Sequence, residues 1–317
     1  MCAPAAMSRE VMSRLSATMF VLLGCLAARP ATAEEPLRVC LQAHDPPLSS
    51  RNGREPVGFD VALSRQIAAR LDRALAIQWF ITRDDPDSNP VTEADALLVD
   101  GRCALVAGYP LVADKLGRPR ATTGKLPPFE GATPEDRRRW ITLGELVPTR
   151  AYRFAAITVA LAPSQATRQV HSLQDLASLR IGVTTHGLPD LIAMGYRDGA
   201  LVERVVHFNQ PGALLQRLDS GEIDAALLDL RELDAWRLAH PATRVAASGY
   251  VHSFGFNIGF VALSTDGALV RQVDTALANL LADGSLTNTA RAVGMTYVAP
   301  RQPDVLREVT LSSLLGD

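Results

Sequence analysis

The chain has 317 residues, of which 47% are hydrophobic and 21% charged, with a formal net charge of −2. Such a length suits about two globular units with ample buried core, and the hydrophobic share excludes a disordered chain. The near-neutral charge argues against nucleic-acid binding through bulk electrostatics.

The first segment reads as a targeting signal. Arg9 and Arg14 precede the apolar run "LSATMFVLLGCLAA", and "ATA" at 31–33 precedes two glutamates. This is the charged, apolar, small-residue order of a secretory leader, so residues 1–33 are expected to be cleaved after Ala33, with Met7 a possible true start. A rival reading takes "LLGC" (22–25) as a lipoprotein box with Cys25 lipidated. The run is short for a membrane span, and no later stretch is long and uncharged enough for one. The mature chain is therefore expected in the periplasm. It keeps two cysteines, Cys40 and Cys103. In an exported protein they suggest one disulfide; two buried free thiols are the alternative.

"LRVCL" (37–41) predicts a strand, and the Pro- and Ser-rich "AHDPPLSSRNGREPVG" a loop. "FDVALSRQIAARL" spaces Leu63, Ile67 and Leu71 four apart, which predicts a helix that Asp60 caps. "AIQWFIT" (76–82) is β-like, "TEADALLVDG" predicts a helix ending at Gly101, and "CALVAG" (103–108) the next strand. Residues 116–140, rich in Pro, Gly and Thr with three consecutive arginines, predict a long surface excursion. It is either functional or a solvated loop with a charged tip.

The pattern resumes with "RFAAITVALAPS" (153–164). Ser172 and Asp175 have capping-box spacing. "RIGVTT" (180–185), "RVVHF" and "EIDAALLDL" predict strands. "LPDLIAMGYRDG", closed by Gly199, "PGALLQRLDSG" and "RELDAWRLAHP", ended by Pro241, predict helices. "FNIGFVALS" (256–264) predicts a strand. "DGALVRQVDTALANLLADG", with Leu269, Val273, Leu277 and Leu280 on one face, and "SLTNTARAVGM" predict helices. Alternating strands and helices predict α/β architecture with a mostly parallel sheet. "LLVDGRCALVAGYP" (97–110) weakly echoes "RLDSGEIDAALLDLR" (217–231). Aligning Gly101 with Gly221 sets Tyr109 opposite Asp229 and suggests two similar lobes.

In order and spacing these segments resemble the extracytoplasmic solute-binding proteins of ABC transporters, family 3, from about Leu37 to about Met295. "GREPVGFDVALSRQIAARL", "DALLVDGRCALVAGYPLVADK", "HSLQDLASLRIGVTTHG", "GEIDAALLD" and "FNIGFVALSTDGALVRQVDTALANLLADG" carry the likeness. It implies a type II periplasmic-binding-protein fold, two doubly wound α/β lobes joined by a two-strand hinge. Lobe 1 would be 34–150 plus 257–317, and lobe 2 would be 151–256. A small-molecule ligand would lie in the cleft, with hinge closure around it. A monomer is expected, with no cofactor, no metal and no nucleic acid, and with a membrane permease as partner.

The ligand clamp of that family is mostly missing. Leu48 stands where amino-acid binders usually place an aromatic residue. Pro110 replaces a serine or threonine, and Lys115 replaces the arginine whose planar fork grips a carboxylate. Thr185 and His186 stand at the second-lobe strand end, where His186-Gly187 replaces Gly-Thr. Asp229, the usual partner of an amino group, is retained; it could equally cap the helix that follows. Tyr109 and Phe256 would wall the cleft or serve as core. Asp45, Leu48, Tyr109, Lys115, Thr185, His186, Asp229 and Phe256 are the candidate ligand-binding residues. An ordinary amino acid is not the expected ligand.

"LRVC", "GRC" and "GYP" are also similar to MxaJ-type accessory proteins, which serve a periplasmic quinoprotein dehydrogenase. In a doubly wound sheet the first and third strands are neighbours, so Cys40 and Cys103 could meet. Three functions follow: a non-catalytic binding protein, an accessory factor of a periplasmic dehydrogenase, or a dehydratase on the same fold. The last would need an acid and a base among Asp45, Lys115, His186 and Asp229. No HExxH, G-x-S-x-G or phosphate-loop motif occurs.

Overall fold

The computed structural model describes residues 35–51, 55–82 and 89–316. The expected leader and the lipoprotein alternative at Cys25 lie outside the described residues. Nine strands form one sheet: β1 (Leu37–Gln42), β2 (Leu75–Phe80), β3 (Leu105–Pro110), β4 (Leu146–Pro148), β5 (Arg153–Leu161), β6 (Ile181–Thr184), β7 (Val205–Phe208), β8 (Ala225–Asp229) and β9 (Ala246–Leu263). Their order is β7-β6-β8-β5-β9-β3-β1-β2, with β4 pairing β9. β1 is parallel to β2 and β3, and β6 is parallel to β7 and β8. Between these parallel ends the long strands β5 and β9 run antiparallel, from Ala246 beside Leu161 to Ile258 beside Arg153.

The helices are α1 (Phe59–Arg70), α2 (Pro90–Val99), α3 (Leu188–Gly195), α4 (Pro211–Asp219), α5 (Leu230–Ala239), α6 (Gly267–Ala282), α7 (Ser285–Ala292) and α8 (Leu311–Leu315). Strand residues alternate between faces, and each face of each half has its own apolar cluster. Leu41, Leu105 and Phe260 pack under Leu63 of α1 and Leu277 of α6. Cys40, Val106 and Val261 pack on the opposite face with Leu97 of α2. In the other half, Ile157, Ile181 and Leu227 pack with Ile192 of α3, and Ala160 and Ala226 with Leu218 of α4 and Leu233 of α5. Among the described residues no helix is long and apolar enough to cross a membrane.

The echo between halves is visible in the backbone. Gly101 follows α2 and precedes β3 at φ 69°, and Gly221 follows α4 and precedes β8 at φ 79°. Both hold the left-handed turn that glycine adopts without steric cost.

Several expectations need correction. Asp60 does not cap α1: Gly58 holds the N-cap position, and Asp60 is turned inward at 4% exposure. α2 begins at Pro90, where the Asn89 side chain accepts from the Val91 N–H. β9 starts ten residues before Phe256 because it also pairs along the second half. The tail also reaches the second half: Leu306 and Leu314 join the cluster of Ile157 and Ile181, and Leu315 packs against Gly195.

The 116–140 excursion is anchored. Thr123–Lys125 pairs with Trp140–Thr142. Ile81 donates its N–H to the Pro128 carbonyl and Glu130 to that of Trp79, which covers the free edge of β2. Phe129 is buried in the cluster of the cysteines, and the Arg102 guanidinium lies 4.4 Å over its ring. Arg102 and Arg139 both bridge Asp100 and Asp136, at 2.7–3.4 Å.

Cys40 and Cys103 are bonded, with Cα atoms 5.6 Å apart and a sequence separation of 63. Adjacent parallel strands bring them together, since Cys40 of β1 lies beside Val106 of β3. In the chain-entropy model a closed loop of this length contributes about 4 kcal/mol. The double variant Cys40→Ser/Cys103→Ser should lose stability on that order in urea unfolding; a loss under about 1 kcal/mol would show the bridge to be marginal.

Candidate functional site

The carboxyl ends of β1, β3 and β8 and the beginning of β5 meet at the sheet's centre. Pro110 of β3 lies beside Ile258 of β9, which lies beside Arg153 of β5. Strand ends in α/β sheets leave loops and unfilled space there. A cavity of about 240 Å³ opens between the halves, bordered by Asp45 and Leu48 from one and Asp229 and Arg231 from the other, with Arg153 and Phe256 from the crossing strands. A second compartment of about 310 Å³ lies in the first half, under Tyr109 and Lys115. Asp45, Leu48, Gly108 and Arg153 border both.

Of the sequence-predicted residues, Asp45, Leu48, Asp229 and Phe256 border the first compartment, and Tyr109 and Lys115 border the second. Thr185 and His186 border neither. Thr185 bonds the Phe208 carbonyl. His186, at φ 63°, donates its N–H to Asp190, whose carboxylate also meets His207 at 3.0 Å. Tyr109 is mainly structural, for it is buried and its hydroxyl donates to the Lys115 carbonyl at 2.6 Å. Asp229 does occupy the N-cap position of α5, but its side chain makes no capping bond.

Three charged groups escaped the sequence reading. Arg153 heads an otherwise apolar strand and is 9% exposed, and its Nε is buried with no hydrogen-bond partner. Asp60 lies on α1 near it. The Gly108 N–H donates to the Tyr152 hydroxyl at 2.8 Å, and that hydroxyl bonds the Asp60 carboxylate, whose Oδ1 has no partner. Arg231, at the start of α5, reaches across to Asp45 at 2.6 Å and ties the two halves over the cavity. The one signal in the sequence was a lone arginine or aspartate at the edge of an apolar run, which also describes many surface positions.

Burial dominates the electrostatics. It raises the Asp60 carboxyl to about 6, against the pull of Arg153 and the Tyr152 bond. It raises Asp229 as well, with Arg231 acting the other way. Glu232 is pushed up to about 7 by burial and by neighbouring Asp229, again opposed by Arg231. Among the described residues no cluster of His, Cys, Asp and Glu could hold a metal ion.

No family model and no curated protein matches the sequence. Solved structures do resemble the fold. An ancestral cationic amino acid solute binding protein is 20% identical, over 81% of this chain and 94% of that chain, with a TM-score of 0.54. The second substrate binding domain assigned to an amino acid ABC transporter of Streptococcus pneumoniae is 14% identical, over 80% of this chain and 98% of that chain, with a TM-score of 0.56. At such identities the likeness defines the fold, which is that of type II periplasmic binding proteins: two α/β lobes joined by two crossing strands, here β5 and β9.

A carboxyl whose pKa rises on folding binds a proton more tightly in the native state. Its contribution is complete below the unfolded pKa and is lost as pH rises through the folded value. For Asp60 that window runs from 3.8 to about 6. Stability measured by denaturant unfolding should therefore fall across this range, and Asp60→Asn should flatten the decline. An unchanged slope in the variant would contradict the assignment.

Proposed function

We propose that this chain is a non-catalytic solute-binding protein, exported to the periplasm after loss of residues 1–33, which captures one small molecule between its lobes for an ABC permease. Residues 34–150 plus 257–317 would form one lobe and 151–256 the other, with β5 and β9 as the hinge and the tail from Leu306 packing back onto the second lobe. The carrying observation is the cavity itself, bordered by both halves and by a half-buried Asp229 whose side chain makes no capping bond. The proteins of similar fold bear names of solute-binding and substrate-binding proteins, which supports the same reading.

The alternatives gain nothing from the geometry. An enzyme would need a converging acid and base, yet His186 is outside both compartments and Lys115 is an exposed residue of the second. The Cys40–Cys103 bridge is accounted for by the pairing of β1 with β3 and implies no dehydrogenase partner.

The reading predicts that a ligand from a panel of amino acids, amines, organic acids and alcohols raises the melting temperature, since ligand held at 100 times its Kd adds about 2.7 kcal/mol. A broad panel without a single shift, together with co-purification of a dehydrogenase, would overturn it. The Asp45–Arg231 pair is partly exposed, at 29% and 41% of the side chains, so it contributes about 0–1 kcal/mol. That is enough to shift an open–closed equilibrium up to about fivefold. Arg231→Ala should enlarge the ligand-free radius of gyration in solution scattering; an unchanged radius would contradict a latch role.

A further inference from the structure

We propose that the C-terminal segment from Met295 is a belt around the hinge: it leaves the first lobe, passes the two crossing strands and ends docked on the second lobe, so that the seating of α8 limits how far the lobes can part. The proposal rests on the two-lobe hinge of the solute-binding reading and adds a restraint on its motion.

The segment can be followed contact by contact. Met295 and Tyr297 pack on the first-lobe cluster that holds α1 and α6. Thr296, between them, donates its N–H and its hydroxyl to Asp234 of α5, in the second lobe, at 2.7 and 2.8 Å. The Val298 carbonyl accepts the Phe154 N–H of β5. Asn257 of β9, 4% exposed, accepts the Arg301 N–H and donates to the carbonyls of Arg301, Pro303 and Asp304. The Arg301 guanidinium lies 4.1 Å over the Phe154 ring and bonds the carbonyls of His252 and Ser253. Leu306 then returns to the first lobe. Just past β3 its N–H donates to the Leu111 carbonyl and its carbonyl accepts from Ala113, both at 2.9 Å, while its side chain packs with the second-lobe cluster.

Arg307, Glu308, Val309 and Thr310 are exposed and form a tether to α8. The Thr310 side chain caps that helix. Leu314 is buried in the cluster of Ile157 and Ile181, and Leu315 takes the space that a side chain at Gly195 of α3 would need. The belt is thus tied by its backbone to the first lobe at Leu306 and by Leu314 to the second. Five residue steps separate Leu306 from Leu311, which span at most about 18 Å. Opening the cleft beyond that reach must break the Leu306 bridge or unseat α8. Leu306 is held by two backbone bonds, whereas α8 has five residues and one buried side chain, and so short a helix has little stability of its own. α8 is therefore the end that lets go. Met295, Thr296 and Val298 also border the cavity, so the same segment touches the solute's site and the lobe it restrains.

The test is solution scattering of the ligand-free, disulfide-intact chain and three variants. Inserting Gly-Ser-Gly-Ser between Arg307 and Glu308 lengthens the tether without disturbing a packed residue. This variant should fold as the wild type does, keep α8 seated and yet show a larger radius of gyration. Leu314→Ser removes the buried side chain that seats α8 and should enlarge the radius too. Leu311→Ser, on the same helix but 75% exposed, should leave it unchanged. Hydrogen exchange at the Leu314 amide, which donates to the Thr310 carbonyl, reads the seating of α8: it should be at least about tenfold faster in Leu314→Ser and unchanged in the insertion variant. An unchanged radius in the insertion variant overturns the belt, and so does an equal increase in Leu311→Ser. Neither result bears on the ligand-induced rise in melting temperature, which tests the solute-binding reading separately.

Discussion

The antiparallel pairing of β5 with β9 is the constraint on which the rest of the structure depends. Among the described residues it carries the sheet from one half to the other, from Leu161 beside Ala246 to Arg153 beside Ile258, with register shifts between Ala247 and Val251 and between Val251 and Gly255. On either side the sheet is parallel, so each half needs helices on both faces, and each half has them. The carboxyl ends of β3 and β8 consequently face one another across the two crossing strands. A cleft at this position follows from topology before any particular side chain is considered.

What fills the cleft wall is electrostatically unfinished. A fold selected for stability alone pairs its buried charges or omits them. Here Arg153 is buried with its Nε unbonded, and Asp60 is held by one tyrosine hydroxyl with its other oxygen unsatisfied. The surrounding structure is by contrast well tied. Asp234 of α5 accepts from both the backbone and the hydroxyl of Thr296, and the Tyr297 hydroxyl donates to the Tyr152 carbonyl. The unpaired groups thus sit within a rigid frame, which is the condition for pre-organised binding.

The sequence made the frame legible because periodicity and glycine turns are local signals. Leu63, Ile67 and Leu71 marked α1, and Gly101 and Gly221 marked matching turns. The cysteine count pointed to the bridge between β1 and β3. Asp45, Leu48, Asp229 and Phe256 were placed at the cavity by likeness to a family. Arg153 and Asp60 were missed because their roles depend on burial, a property of the assembled lobes. In the sequence an arginine heading "RFAAITVAL" looks like a solvated strand end, and an aspartate in "GFD" looks like a cap. Thr185 and His186 border neither compartment, because Asp190 and Phe208 hold the turn after β6.

Native mass spectrometry of the chain purified from its native source tests the central claim most directly. The account predicts one small molecule bound per chain, retained under gentle conditions and released on unfolding. A bare chain mass, unaltered on unfolding and unaltered after incubation with amino acids, amines, organic acids and alcohols, would contradict it.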